Sequence, residues 1–465
     1  MKILLIVYDN SSFIPYTPLG IGYLSAVIRQ SDHEVVVYSQ DIYHYSDEHL
    51  TKYLDDNDFD AVGISSIAGY FQYRKMINLS KAINKSKNRD NFIFIIGGTM
   101  FTPEPVYFLN KLDADIAVLG EGEETIVELM NKKFNCADFK NINGIAYCES
   151  DNVVINSRRE TIKNIDDIPM PAYDLFPMDF YKLMRFPSAD YNDYTATILS
   201  GRGCLFRCNF CFRSDPGFRP RSGENILKEI EYLKSKHNIN YIIFSDELMM
   251  SSEKRTVELC KQFKESKLNF KWACEGRLNF AKLDILKLMK ECGCKYINYG
   301  IESFDNSMLK VMRKGLNTKI IIEGIENTLK VDISPGLNLI YGNIGETFEV
   351  LQKSVDFLLK YSDFVELRTI RPVAPYPGSP LYYFAIQNGL LKDVEEFYEN
   401  KLKNSDLLSV NFTPYTDEEV NRELCRVNKE LITAFYKANE KKMLASCDDL
   451  YYNENIGFRG FRPIV

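Results

Sequence analysis

The chain has 465 residues, with 57 Lys and Arg against 64 Asp and Glu, and a formal net charge of −7. This length predicts two to three domains, and the acidic balance argues against a nucleic-acid-binding protein, which needs a basic excess. The 11 cysteines are mostly isolated, and no apolar run is long enough to span a membrane. We therefore expect a cytoplasmic protein in a reducing compartment, with no membrane span.

Runs of Ile and Val of strand length alternate with amphipathic segments of helix length over the first 130 residues. These runs stay apolar throughout, which is typical of parallel strands covered on both faces. The predicted strands are residues 3–8, 34–38, 61–65, 92–96 and 116–119. The pattern predicts an α/β domain over residues 1–135 with a doubly wound, flavodoxin- or Rossmann-like sheet, whose ligand crevice lies beyond the carboxyl ends of the strands.

Glycines follow two of these strands, where they let a bulky ligand approach the backbone. The residues in question are Gly97, Gly98, Gly120 and Gly122, with Glu123 directly after them. The alternative is that these glycines only end strands and pack helices.

The α/β alternation begins again at Thr195, after a connector predicted for residues 136–190. The predicted strands are residues 195–200, 241–245, 271–275, 296–299, 337–340 and 364–369. Six repeats predict a partial (β/α)6 barrel over residues 191–380, followed by a small helical region over residues 381–465. In such barrels the carboxyl ends of the strands carry the chemistry.

Three cysteines, Cys204, Cys208 and Cys211, follow the first strand of this barrel at C-x3-C-x2-C spacing. Three thiolates can hold a cubane iron-sulfur cluster and leave one iron open. An open coordination position is where a small molecule binds and reacts. The alternatives are a three-cysteine zinc site with a distant fourth ligand, and unrelated buried thiols.

This spacing, with Phe210 before the last cysteine and Gly201-Arg202-Gly203 before the first, resembles the signature of the radical S-adenosylmethionine (SAM) enzymes. The resemblance implies that SAM chelates the open iron of a 4Fe-4S cluster. One electron, from a donor such as flavodoxin or ferredoxin, then cleaves SAM to methionine and a 5'-deoxyadenosyl radical.

The same resemblance assigns residues at the other strand ends. It places Asp246 and Glu247 near the SAM ammonium, although either could instead serve the substrate or a proton transfer. It directs the cation of Arg277 to the SAM carboxylate and the polar groups of Glu302 and Ser303 to the ribose. It places the segment from Leu339 to Gly342 beside the adenine. An ordinary ion pair is the alternative role for Arg277.

Residues 18–24, Gly97-Gly98 and residues 119–125 resemble, in this order, the cobalamin-binding domain that precedes many radical SAM cores. The D-x-H-x-x-G motif, which supplies an imidazole to cobalt in other cobalamin proteins, is absent. The nearest string, residues 47–52, ends in Lys, so we interpret His49 as a surface helical residue. The resemblance implies that cobalamin binds without a protein imidazole on cobalt.

Together these features predict a cobalamin-dependent radical SAM enzyme that methylates an unactivated carbon of a small molecule. Cyclisation, ring rearrangement or oxidation on the same cofactors is the alternative chemistry. A non-catalytic corrinoid or iron-sulfur protein is the alternative class. The strand-end residues disfavour it, because a binding protein has no need for Arg277, Glu302 and Ser303 at SAM-contacting positions.

The cysteine motif yields a direct prediction. Replacing Cys204, Cys208 and Cys211 together with Ala should abolish the cluster in anaerobically reconstituted protein, because these thiolates are its only expected ligands. Iron and sulfide analysis measures this, with Cys292→Ala/Cys294→Ala as the control that keeps its iron. Iron that stays near four per chain in the triple variant would place the ligands elsewhere.

Overall fold

The computed structural model describes residues 1–11, 16–150, 152–213 and 217–454. The strands are β1 (Lys2–Val7), β2 (Glu34–Ser39), β3 (Ala61–Ser65), β4 (Ile93–Gly97), β5 (Ile116–Val118), β6 (Ile145–Glu149), β7 (Asn152–Ile155), β8 (Thr195–Ile198), β9 (Gly201–Arg202), β10 (Arg219–Pro220), β11 (Tyr241–Phe244), β12 (Lys271–Gly276), β13 (Cys294–Glu302), β14 (Ser334–Tyr341) and β15 (Arg371–Pro372).

The helices vary from single turns to one of 35 residues. They are α1 (Leu19–Gln30), α2 (Gln40–Tyr43), α3 (Asp47–Asp56), α4 (Tyr70–Asn84), α5 (Pro105–Leu112), α6 (Glu123–Asn131), α7 (Cys136–Phe139), α8 (Met178–Tyr181), α9 (Gly223–His237), α10 (Glu253–Ser266), α11 (Leu283–Glu291), α12 (Asn306–Val311), α13 (Thr318–Lys330), α14 (Phe348–Tyr361), α15 (Pro380–Gln387), α16 (Val394–Glu396) and α17 (Asp417–Tyr451).

The first sheet has the strand order β2-β1-β3-β4-β5-β6-β7, and its first five strands are parallel. This confirms the predicted doubly wound domain. Strands β6 and β7 join the edge of the sheet antiparallel. They lie in the segment assigned to the connector, so the first sheet continues beyond residue 135. The domain boundaries at 135, 190 and 380 stay predictions.

The second sheet is parallel throughout, in the order β15-β14-β13-β12-β11-β8, which confirms the predicted partial barrel. The sixth predicted strand, residues 364–369, is wrong, because the strand beside β14 is β15. Phe364 has a φ of +55°, which an extended strand does not allow. Beyond it, Glu366 and Arg368 bond the side chain of Tyr296.

The C-terminal region packs against both domains. The ring of Tyr398 stacks on that of Tyr73 in α4 at 4.6 Å between centroids, and the Tyr73 hydroxyl donates to Glu399 at 2.6 Å. Helix α17 begins with the capping box that its Thr416-x-x-Glu419 pattern predicts, and it packs on α14. In the described ranges, no helix is long and apolar enough to cross a membrane.

Candidate active site

A cavity of about 360 Å³ lies where the carboxyl ends of the two sheets face each other. Loops after β3, β4 and β5 line one side, and Leu199, the start of the cysteine loop and the end of β11 line the other. Seven of the predicted site residues meet in its wall, namely Gly97, Gly98, Gly120, Gly122, Glu123, Asp246 and Glu247. The two strand-end patterns of the sequence therefore converge on one space.

Two glycines of this wall are required by their backbone conformation. Gly98 has a φ of +103°, and a Cβ there would lie 2.5 Å from the carbonyl oxygen of Ser66. Gly120 has a φ of +82°, and the space beside it is open. Apolar side chains such as Leu5 and Val118 line the inner part of the cavity. A glycine rim over an apolar cleft fits a large ring cofactor of the cobalamin type.

The four histidines of the chain do not line this cavity. His49 lies in α3, where its ring stacks on Tyr45 at 4.1 Å and its Nδ1 lies 2.8 Å from the hydroxyl of Tyr38. Its predicted place on a helix surface is confirmed. A cobalt without a protein imidazole stays a prediction, and it agrees with these positions.

A buried ion network joins the two sides of the cavity. Arg202 donates to Glu121 at 2.8 Å and to Glu123 at 2.6 Å, and Arg219 donates to Glu121 at 2.8 Å. Burial raises the pKa of Glu121, but the hydrogen bonds from the two arginines outweigh it and hold that pKa below its usual range. We name these four residues the interdomain ion network. Sequence reasoning assigned Glu123 to the cofactor and missed its arginine partner.

The cysteine loop is closed at its base by the antiparallel pairing of β9 with β10. A hydrogen bond with Cys211 lowers the pKa of Cys208, and the cations of Lys314 and Arg277 lower it further against the effect of burial. Cys208 is therefore the readiest metal ligand of the three, because burial raises the pKa of Cys204 and the hydrogen bond with Cys208 raises that of Cys211. No three His, Cys, Asp or Glu side chains in the described part of the chain surround a single metal ion. A short loop of three thiols beside two cations fits an iron-sulfur cluster.

Arg277 lies directly against the cysteine loop. Its guanidinium carbon is 3.3 Å from the centroid of the Phe206 ring, and it donates to Asn279 at 2.9 Å and to the carbonyl oxygen of Lys314. Burial lowers the pKa of Arg277. Among the described residues no carboxylate bonds Arg277 directly, although the charge of Glu302 acts on it, and its role toward SAM stays a prediction.

Glu302 and Lys314 form a buried ion pair of 2.9 Å behind the cysteine loop. Glu302 has a φ of +71°, in the left-handed region that non-glycine residues rarely adopt. Lys314 also lies 6.0 Å from the ring centroid of Phe210. Sequence reasoning missed Lys314, because it lies in the turn between α12 and α13 and no motif marks it.

Glu346 organises the end of β14. It accepts from the backbone N–H groups of Gly342 at 2.9 Å and Asn343 at 3.1 Å, and from the Ser303 hydroxyl at 3.4 Å. Burial raises its pKa to about 7. Leu339, in contrast, is buried in the core of the barrel.

Asp246 is fully buried at the end of β11 and accepts hydrogen bonds from the Ser200 N–H at 2.5 Å and from the Ser200 hydroxyl. Burial raises its pKa to about 6. Through its hydrogen bonds with Ser200, Asp246 fixes the end of β8, after which the cysteine loop begins. Glu247 is exposed to the cavity.

Comparison with known proteins agrees with this geometry. Residues 7–130 match the B12 binding domain, and residues 198–358 match the radical SAM superfamily. The fold and the site thus define a cobalamin-binding radical SAM enzyme. The chain belongs to the B12-binding radical SAM family, whose cofactors are a 4Fe-4S cluster, SAM and cobalamin, and whose members need a reductant.

Relatives include an uncharacterised methyltransferase of Pyrococcus horikoshii, 29% identical over 84% of both chains. A cytidylyl-2-hydroxyethylphosphonate methyltransferase of Streptomyces wedmorensis is 24% identical over 83% of this chain and 81% of its own. An anaerobic magnesium-protoporphyrin IX monomethyl ester cyclase of Cereibacter sphaeroides is 26% identical over 58% of this chain and 44% of its own. The radical SAM methyltransferase TsrM of Kitasatospora setae shares the fold, with a TM-score of 0.72 and 15% identity. The match covers 92% of this chain and 88% of TsrM.

The raised pKa of Glu346 predicts a pH-dependent stability. The folded protein holds a proton between about pH 4.5 and 7 that the unfolded chain releases, so the free energy of unfolding should fall as the pH rises through this window. Glu346→Gln keeps the acceptor oxygen and lacks this titration. Its stability relative to the wild type should therefore rise by up to about 3 kcal/mol between pH 4.5 and 8.

Urea unfolding of both proteins at several pH values measures the difference. Glu349→Gln, an exposed position on the neighbouring helix α14, is the control and should follow the wild type. If the free energies of unfolding of Glu346→Gln and the wild type change with pH in parallel, Glu346 does not titrate in this window.

Proposed function

We propose that this enzyme is a cobalamin-dependent methyltransferase acting on a carbon of a small molecule. The observation that carries the proposal is the single cavity shared by the glycine loops of the first sheet and the start of the cysteine loop. The two methyltransferase relatives described above match 84% and 83% of the chain, and two magnesium-protoporphyrin IX monomethyl ester cyclases match 58% and 79% of it. When bound, the cluster and SAM supply radical chemistry, and cobalamin supplies a methyl carrier.

The residues of the chain take distinct roles in this proposal. Cys204, Cys208 and Cys211 hold the cluster, and Arg277 binds the SAM carboxylate beside it, because its buried guanidinium lies directly against the cysteine loop. Asp246 positions the cysteine loop through Ser200.

Further polar groups complete the SAM site as proposed. Glu302 and Ser303 face the ribose, and Gly342 lets the adenine approach the end of β14, because it has a φ of +94° and no side chain of its own. The buried side chain of Leu339 supports this segment from the core. Phe210, directly before the last cysteine, packs against the core.

The cysteine loop also presents a surface to an electron donor. Leu205 and Arg207 are exposed on it, next to the cluster ligands. An apolar and a basic side chain together suit an acidic donor such as flavodoxin or ferredoxin.

Methyl transfer is tested with SAM that carries a deuterated methyl group. Anaerobic holoenzyme with hydroxocobalamin and dithionite should form S-adenosylhomocysteine and trideuteromethyl cobalamin, both measured by mass spectrometry. Gly120→Val should abolish this, because the space beside Gly120 is open to the cavity and a side chain would occupy it. Gly389→Val is the control and should keep this activity, because Gly389 has a similar φ of +69° and open space beside it but does not line the cavity. Formation of 5'-deoxyadenosine alone would favour cyclisation, rearrangement or oxidation.

Arg277→Ala should weaken SAM binding about ten- to a hundredfold and leave the cluster content unchanged. The reason is that a hydrogen bond to a charged group contributes about 1.5–3 kcal/mol, and about 1.4 kcal/mol is a tenfold change. Formation of 5'-deoxyadenosine at several SAM concentrations measures the effect. Arg371→Ala, exposed at the edge of the same barrel, is the control. An unchanged SAM dependence would give Arg277 a packing role only.

A further inference from the structure

A second cavity, of about 270 Å³, lies inside the half-barrel. Phe186, Ile243, Phe244 and Cys274 form much of its wall, and Glu275 of β12 lies in it. It shares the end of β11, residues 245–247, with the larger cavity. We name it the lumen cavity. A molecule bound there lies next to the space where the glycine loops and the cysteine loop meet.

A ladder of hydrogen bonds crosses the inner face of the barrel and ends at this cavity. Arg368 donates to the amide oxygen of Asn338 at 2.6 Å, and the Asn338 amide donates to the amide oxygen of Asn298 at 2.9 Å. The Asn298 amide then donates to both oxygens of Glu275, at 2.9 and 3.0 Å. Because arginine only donates, it fixes the orientation of both amides. Glu275 is therefore the terminal acceptor of the ladder.

The barrel is built to hold this ladder. A Cβ on Gly336 of β14 would lie 2.3 Å from the Asn298 amide oxygen and 2.6 Å from Arg368 Nη2, so only glycine leaves the required space. The charge of Arg368 is already paired with Glu366, which also accepts from Tyr296 at 2.7 Å. Glu275 thus receives only neutral amide donors and has no cation in direct contact in the described structure.

Glu275 keeps unused acceptor capacity toward the lumen cavity. A carboxylate offers about four acceptor positions, and one amide group cannot fill them. Of the other two carboxylates in the wall, Asp246 is held by Ser200. The described wall contains no Lys, Arg or His. Burial raises the pKa of Glu275 to about 7, against the lowering effects of the Asn298 hydrogen bonds and of the more distant cations Arg368 and Lys314.

We propose that the lumen cavity is the substrate pocket and that Glu275 binds a protonated amino group of the substrate. The apolar part of the substrate lies against Phe186 and Ile243. That the bound molecule is the substrate rests on the proposed function, whereas the preference for an amino group rests on the ladder and the cavity alone. A cation in the lumen cavity donates to the acceptor positions of Glu275 that the ladder leaves open. An anion is repelled there, because the wall contains three carboxylates.

The test uses three probes with similar skeletons and different charge: 2-phenylethylammonium, 2-phenylethanol and 3-phenylpropanoate. Isothermal titration calorimetry on anaerobic holoenzyme with cobalamin and SAM at pH 8 should show the ammonium binding at least tenfold more tightly than the alcohol, with the carboxylate weakest. Glu275→Gln should reduce ammonium affinity about ten- to a hundredfold and leave alcohol affinity unchanged. Glu258→Gln, on the exposed face of α10, is the matched control.

Equal affinity for the three probes in the wild type would overturn the proposal, and this result needs no variant. An equal loss in Glu275→Gln and Glu258→Gln would also overturn it. The cluster content of each variant shows that it folds. Binding requires no turnover, so holoenzyme that selects the ammonium but forms no methylated cobalamin would keep the pocket and remove the methyl-transfer proposal, and the reverse result would do the opposite.

Discussion

The interdomain ion network is the interaction on which the rest of the site depends. A parallel sheet presents its ligand loops only at its carboxyl edge, so a shared site requires two such edges to face each other. Arg202 and Arg219 hold the loop after β5 against both ends of the cysteine loop through Glu121 and Glu123. Removing one partner of such a buried network leaves an unpaired charge, which costs about 3–5 kcal/mol. The network therefore fixes the distance between the two cofactor loops.

Charge balance links the cysteine loop to the residues behind it. Two buried cations, Arg277 and Lys314, lie next to three thiols, and among the described residues Glu302 forms its ion pair with Lys314. The remaining positive charge is offset when the thiols lose their protons, which is the state that binds iron. The two cations lower the pKa of Cys208 in addition to its hydrogen bond with Cys211, whereas burial raises the pKa of Cys204 and the hydrogen bond with Cys208 raises that of Cys211. The cations therefore favour the thiolate form at Cys208 in particular.

The sequence predicts those features that are local in the chain. Strands β1 to β5 are continuous apolar runs, and the cysteine motif lies within eight residues, so both are visible without the fold. Strand β15 has two residues and is stabilised only by pairing with β14, so it has no pattern of its own. Lys314 and Glu121 become site residues only when distant loops meet. The register shift between Gly300 and Glu302 likewise depends on the pairing of β13 with β14. Side chains alternate along a strand, so Asn338 and Leu339 of β14 lie on opposite faces of the sheet.

Two sets of residues in the barrel have separate tasks because they lie at different heights on the strands. The three cluster cysteines, Arg277 and Glu302 lie at or beyond strand ends, whereas Asn298 and Asn338 lie within β13 and β14. A residue within a strand is held by the sheet on both sides and has a fixed direction. Asn298 and Asn338 thus hold Glu275 from within the sheet, and Arg368, in the segment before β15, orients both amides. Substrate selection can therefore change through the lumen while the strand ends keep their arrangement, which is how one barrel can serve different substrates.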